Sequence, residues 1–163
     1  MSTAATPPPG PAQRIQAERL KYPGLLPREV IVLRNWLKLH EGEYQSFDYN
    51  VRAGQGTDPG PAYAQDMRTM AIQNSQKRID AVAYRGSEVT LIEVKDRATA
   101  SAIGQINMYS ALWQPTVAYP NPPILLLVCN RIDADVAQAA AAHGIQVNIV
   151  PSSFAELAST PGT

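Results

Sequence analysis

Cysteine and histidine are nearly absent from this chain of 163 residues, which has one Cys, at 129, and two His, at 40 and 143. A lone cysteine excludes an intramolecular disulfide and any zinc site built from several thiolates. Two histidines far apart in sequence give no His-rich metal centre. Charge of either sign is scarce as well. Fourteen Lys and Arg balance fourteen Asp and Glu, and charged residues make up 17% of the chain, against a usual share of about a quarter. This balance excludes a basic coat for nucleic acid, so any phosphate contact must come from a local patch. Long hydrophobic runs are also missing. The longest strongly apolar stretch, 124–129, falls far short of the roughly 20 residues that a membrane helix needs. Residues 1–13 contain no apolar signal core. The expectation is a cytoplasmic protein of a reducing compartment with no membrane contact.

Apolar residues make up 45% of the chain, enough for one real core. The length favours one domain with tails. We read a Pro-rich N-terminal arm over 1–20, a domain over 21–150 and a small polar tail over 151–163. The first thirteen residues, MSTAATPPPGPAQ, predict an extended arm with polyproline character. Such an arm suits packing on a second copy or on a partner protein.

Pro27 and Glu29 predict a helix start, and Val30, Leu33, Trp36 and Leu37 recur at helical spacing, giving a helix over 27–41. Phe47, Tyr49 and Val51 alternate with polar residues, as in a half-exposed strand. GQGTDPGP, from 54 to 61, is a loop, and 67–74 reads as a short helix. Strands are expected over 79–84 and 89–95, joined by Arg85-Gly86-Ser87-Glu88 in a type II′ turn. A helix over 99–113 follows, with Ala102, Ile106, Tyr109 and Trp113 on one stripe. The run 124–129 fits a strand buried on both faces. An Ala-rich helix over 133–143 and a strand over 145–150 complete the order. The fold class is α/β, with a mixed central sheet and flanking helices. The first three strands form an antiparallel meander, and the last two are parallel to their neighbours because helical crossovers lead to them.

The hairpin carries the chemistry. If Arg85 pairs with Glu88, Asp80 lies directly opposite Glu93, with Cβ atoms about 4.5–5.5 Å apart. Lys95 shares a face with Glu93. The other face carries Ile79, Ala81 and Ala83 against Ile92 and Val94 and should meet the core. Two opposed carboxylates cost stability unless something positive sits between them, and an oxygen-preferring divalent cation is the natural solution. The alternative is a solvated strand face.

Ile79-Asp80, then Ile92-Glu93-Val94-Lys95, then Gln105-Ile106-Asn107-Met108-Tyr109 on the following helix, resemble the PD-(D/E)xK nuclease superfamily and its RecB-like branch with the Q-x3-Y element. The motifs span 79–113, and the element order spans 27–150. The resemblance implies a restriction-endonuclease-like α-β-β-β-α-β core and a nuclease that hydrolyses DNA phosphodiester bonds. It implies Mg2+ or Mn2+ on Asp80, Glu93 and the backbone carbonyl of Val94, with Lys95 positioning or activating water. It also implies that Gln105 and Tyr109 contact the nucleic-acid backbone or brace Lys95. The family often adds a glutamate from the first helix, and here Glu29 and Glu41 are the candidates. The chain departs from the motif at the proline, where Ile79 stands. In type it is similar to accessory nucleases of phages and mobile elements.

Arg52, Lys77, Arg78, Arg85, Lys95 and Arg97 fall near this site in sequence. Arg78 is a candidate substrate contact, although the window 52–97 is nearly balanced in charge. Cys129 and Trp113 read as core, and His40 and His143 as helix-end residues. The neutral charge and the Pro-rich arm also suit a second reading, a phage virion or assembly subunit that retains a nuclease-like fold, in which case the protein resides in the virion.

Overall fold

The computed structural model of the protein describes residues 10–158. Helix α1 spans Pro11–Lys21 and α2 spans Pro27–Leu39; strand β1 (Ser46–Ala53) follows, then α3 (Gln65–Ser75). Strands β2 (Lys77–Arg85) and β3 (Glu88–Ala98) lead to α4 (Ala100–Leu112), β4 (Ile124–Ile132), α5 (Ala134–Ala142) and β5 (Ile145–Ile149). A single 3₁₀ turn covers Ala155–Leu157. Among the described residues, no helix is long and apolar enough to cross a membrane.

The five strands form one sheet in sequence order. β1, β2 and β3 are antiparallel, while β4 lies parallel to β3 and β5 parallel to β4. This is the expected mixed sheet, and α2-β1-β2-β3-α4-β4 reproduces the α-β-β-β-α-β order, with α3 inserted between β1 and β2. Arg85 pairs with Glu88 as the turn predicts. Gly86 has φ 58°, and Asn50 is the one residue other than glycine with positive φ among those described. Positive φ at the first central position alone is the type II′ pattern.

Helix α2 begins where the sequence signals it. Pro27 occupies its first turn, and the Glu29 carboxylate accepts the Leu26 backbone N–H at 2.8 Å. That bond satisfies one of the donors a helix start leaves unpaired. Val30, Val32, Leu33 and Trp36 pack against Ala81, Ala83, Ile92, Val94, Leu126 and Val128 on one face of the sheet. Trp36 is fully buried and donates its indole N–H to Asn148 on β5 at 2.8 Å. On the other face, Ala102 and Ile106 of α4 and Ala140 of α5 cover Val82, Leu91, Leu127 and Cys129. β4 is buried on both sides, which is why its sequence runs without alternation.

The arm differs from expectation. Residues 11–21 form α1, with Pro11 at its start, rather than extended chain, while residues 1–9 lie outside the described residues. Docking on α2 holds it: Ile15 is buried, and α1 rests on α2. The tail is also partly fastened. Glu156 pairs with Arg34 of α2, and Arg34 pairs with Glu18 of α1 at 3.3 Å.

A second difference concerns faces. Phe47 and Tyr49 pack with Ala81 and Ala83 on the α2 side, whereas Val51, Ala53 and Ile79 pack on the α4 side. In a regular strand, residues two apart share a face. Both strands therefore turn over between the pair Tyr49–Ala81 and the pair Val51–Ile79. Ile79 lies on the opposite face from Ala81 and Ala83, contrary to the sequence reading. The turnover falls at Asn50, whose φ of 53° is left-handed, and at Asp80 across from it.

Candidate active site

Asp80 sits where the sheet opens. The β2–β3 pairs run from Arg85–Glu88 to Ala81–Ile92 and end there. One step further in the same register sets Asp80 across from Glu93. Beyond this point β2 continues beside β1, through Val51–Ile79 to Ala53–Lys77, while β3 continues beside β4. The two strands fork, and the Val94 backbone N–H donates to the Asp80 carboxylate at 2.8 Å.

The fork admits side chains from both faces of the sheet. Glu29 from α2, and Gln105 and Tyr109 from α4, line one cavity of about 340 Å³ with Asp80, Glu93 and Lys95. Gly24, Asn50, Gln76, Lys77 and Arg78 complete its wall. Glu93 is 1% exposed. Its Oε1 accepts from the Lys95 ammonium at 2.8 Å, and its Oε2 is buried with no hydrogen-bond partner. The Lys95 ammonium also lies 3.7 Å from Oε1 of Glu29, whose other oxygen is held by the helix-cap bond to Leu26. Gln105 has a buried carboxamide oxygen that is likewise without a partner.

Burial, and then the negative charge of Glu93, push the Asp80 carboxyl up to about 8. Glu93 is raised as well, chiefly by burial, with Lys95 opposing the shift. Burial pulls Lys95 down, but Glu93, Glu29 and Asp80 together outweigh it, so the ammonium is held charged. Burial and the facing acids raise Tyr109. The buried acids therefore resist ionising together beside a single ammonium.

The donors free to hold a cation here are carboxylate oxygens, which suits a hard, oxygen-preferring ion. The partnerless buried Glu93 oxygen is what such an ion would satisfy. Among the described residues, no three or more His, Cys, Asp or Glu side chains group in metal-holding fashion. The remaining coordination would come from backbone, water and substrate, as is usual for Mg2+.

Of the two first-helix acids, Glu29 is in the site. Glu41 lines a separate charged depression with Arg34 and Lys38. Among the six cations near the site in sequence, Lys77, Arg78 and Lys95 reach the cavity, and Arg52 pairs across β1–β2 with Arg78. Arg85 is bound to Glu88 at the far end of the hairpin, and Arg97 to Asp133. Cys129 is core. Trp113 packs against the core from the end of α4, and His40 and His143 close α2 and α5. Sequence reasoning missed Asn50 and Gly24. Asn50 looked like an exposed strand position, and the available signal was an αL-tolerant residue in mid-strand.

No protein-family model matches the chain, and no curated protein matches it. Among solved structures the chain is similar to a repair endonuclease from Pyrococcus abyssi, at 11% identity and a TM-score of 0.49, over 77% of this chain and 47% of that one. It is also similar to a crystallised protein of unknown function, at 14% identity and a TM-score of 0.42, over 74% and 56% of the two chains. The chain spans about half the length of each. Neither likeness bears on activity.

Proposed function

We propose that the protein is a metal-dependent nuclease that hydrolyses DNA phosphodiester bonds, with Mg2+ or Mn2+ held by Asp80, Glu93 and the carbonyl of Val94. The observation that carries this reading is the buried, partnerless Oε2 of Glu93 beside Asp80 at the fork, with the Lys95 ammonium on the other oxygen. An acid pair kept out of water at an opening in the sheet is costly as a structural element and useful as a cation site.

When bound, the cation would supply Lewis-acid stabilisation of the charge that builds on the phosphate. The chain supplies the rest. Lys95, fastened between Glu93 and Glu29, stays protonated and therefore orients the attacking water by donating to it instead of removing its proton. Lys77 and Arg78 stand at the cavity wall as phosphate contacts that position the strand. Gln105 offers its carboxamide from the α4 side. Water attacks the phosphorus in line and passes its proton to bulk solvent as the new P–O bond forms; the P–O3′ bond breaks opposite to it, and the departing 3′-oxygen takes a proton from solvent.

The test is plasmid DNA incubated with the protein and Mg2+ or Mn2+, and again with Lys95→Ala. The expected loss for the variant is about 10²–10⁴-fold. Absence of metal-dependent cleavage by the unaltered protein, or equal cleavage by the variant, would overturn the reading.

A further inference from the structure

Asn50 combines five features. It is the one residue other than glycine among those described with a left-handed backbone, at φ 53°. The β1–β2 register, stepping from Tyr49–Ala81 to Val51–Ile79, sets it directly across from Asp80. It lines the cavity that holds Asp80, Glu93 and Lys95. Its side chain has a dedicated space, because a Cβ on Gly24 would sit 3.1 Å from the Asn50 carboxamide oxygen, and Gly24 itself has φ 97°. Among the described residues, the carboxamide has no hydrogen-bond partner.

A backbone turnover alone calls for glycine, which enters the left-handed region without cost. Asparagine tolerates that region, and it adds a neutral group with two N–H donors and one acceptor. Beside an acid pair, a neutral donor binds an incoming phosphate oxygen without neutralising the carboxylates, as a cation would. Left-handed residues other than glycine cluster at active sites and ligand clamps.

We propose that Asn50 is a substrate-binding residue of this site, donating its carboxamide N–H to a non-bridging oxygen of the phosphodiester presented to Asp80 and Lys95. This rests on the nuclease reading above. Gly24 is its positioning residue, leaving the space in which the carboxamide stands.

The deciding variant is Asn50→Gly, which keeps the left-handed backbone and removes the amide. Its melting temperature should equal or exceed that of the unaltered protein. Single-turnover cleavage of a labelled oligonucleotide in Mn2+ should fall by about 10²-fold. Binding of the same oligonucleotide in Ca2+, read by anisotropy, should weaken at least about fivefold. Asn50→Asp keeps the shape but presents a negative charge to the phosphate, and should lose more than Asn50→Gly. If the unaltered protein cleaves and Asn50→Gly matches its rate and affinity, Asn50 serves the backbone alone and the proposal is overturned, whatever Asn50→Asp does, while the nuclease reading stands. If Asn50→Gly melts below the assay temperature, Asn50→Asp decides, and an undiminished rate overturns the proposal. If the unaltered protein cleaves nothing in Mg2+ or Mn2+, the nuclease reading falls and takes this proposal with it.

Discussion

The Val94 backbone N–H donates to the Asp80 carboxylate at 2.8 Å. In a hairpin ladder that continued past Ala81–Ile92, the same N–H would meet the backbone carbonyl of Ile79. One side chain therefore replaces a ladder bond and holds the mouth of the fork open, while the neighbouring ladders keep each strand in the sheet. The bond also explains how Asp80 is oriented without a cation: one carboxylate oxygen is fixed by β3, leaving the other for the cavity.

Asp80→Asn keeps an oxygen that accepts the Val94 N–H and removes the ionisable group facing Glu93. At neutral pH the metal-free protein should melt at the same temperature or higher, because folding no longer has to keep on this side chain a proton that the unfolded chain gives up. Stabilisation by added Mg2+ or Mn2+ should disappear, and cleavage with it. Thermal melts with and without metal check this; a variant still stabilised by Mg2+ as much as the unaltered protein would remove Asp80 from the cation site.

Stability of the metal-free protein should fall as pH rises from about 4 to about 8. Asp80 ionises near its ordinary value of 3.8 when unfolded and at about 8 when folded. Between those values the folded state keeps a proton that the unfolded state has lost, so raising pH favours unfolding. The contribution is fully present below the unfolded value and gone above the folded one. Denaturant titrations at several pH values, in chelator, measure the slope. Saturating Mg2+ should flatten it, and Asp80→Asn should remove much of it.

Gly56→Ala should loosen the segment between β1 and β2. Gly56 has φ 69°, and a Cβ there would lie 2.3 Å from the Ile72 carbonyl oxygen. That segment is held to α3 by the Thr57 N–H donating to Ser75 at 2.6 Å and by Gln76 donating to the Gly54 carbonyl at 2.8 Å. α3 buries no residue fully, so it has little else to keep it in place. Limited proteolysis should cut the variant within 54–76 faster, with the melting temperature of the core little changed. Unchanged protection would show that the close approach is dispensable.

Trp36→Ala should cost about 3–5 kcal/mol, the range for emptying a fully buried aromatic site. It also strands the Asn148 carboxamide oxygen that accepts the indole N–H. Trp36→Phe fills most of the space and should cost less, chiefly the lost hydrogen bond of about 1 kcal/mol. Chemical denaturation reads both; equal losses would mean that packing contributes nothing beyond the bond.

Much of this protein is decided locally. Pro27 and Glu29 start α2 by themselves, since a helix start needs only a fixed φ and an acceptor for its own first N–H groups. Arg85-Gly86-Ser87-Glu88 sets the hairpin register through the φ of Gly86, and the register brings Asp80 toward Glu93. The unbroken apolar run of β4 declares burial on both faces. These are near-neighbour effects, so residue types and spacing suffice.

What tertiary structure alone decided is which groups share a cavity. Sequence ranks Glu29 ahead of Glu41 without choosing between them, and only the docking of α2 over β3 brings Glu29 to Lys95 while Glu41 lines a separate depression. The face change at Asn50 was invisible because period-two alternation assumes a strand that never turns over. Where the ladder stops depends on strands pairing elsewhere, β2 with β1 and β3 with β4, and on the pull of Asp80 on Val94. Those are long-range competitions for the same backbone groups, and no window of sequence contains all the competitors.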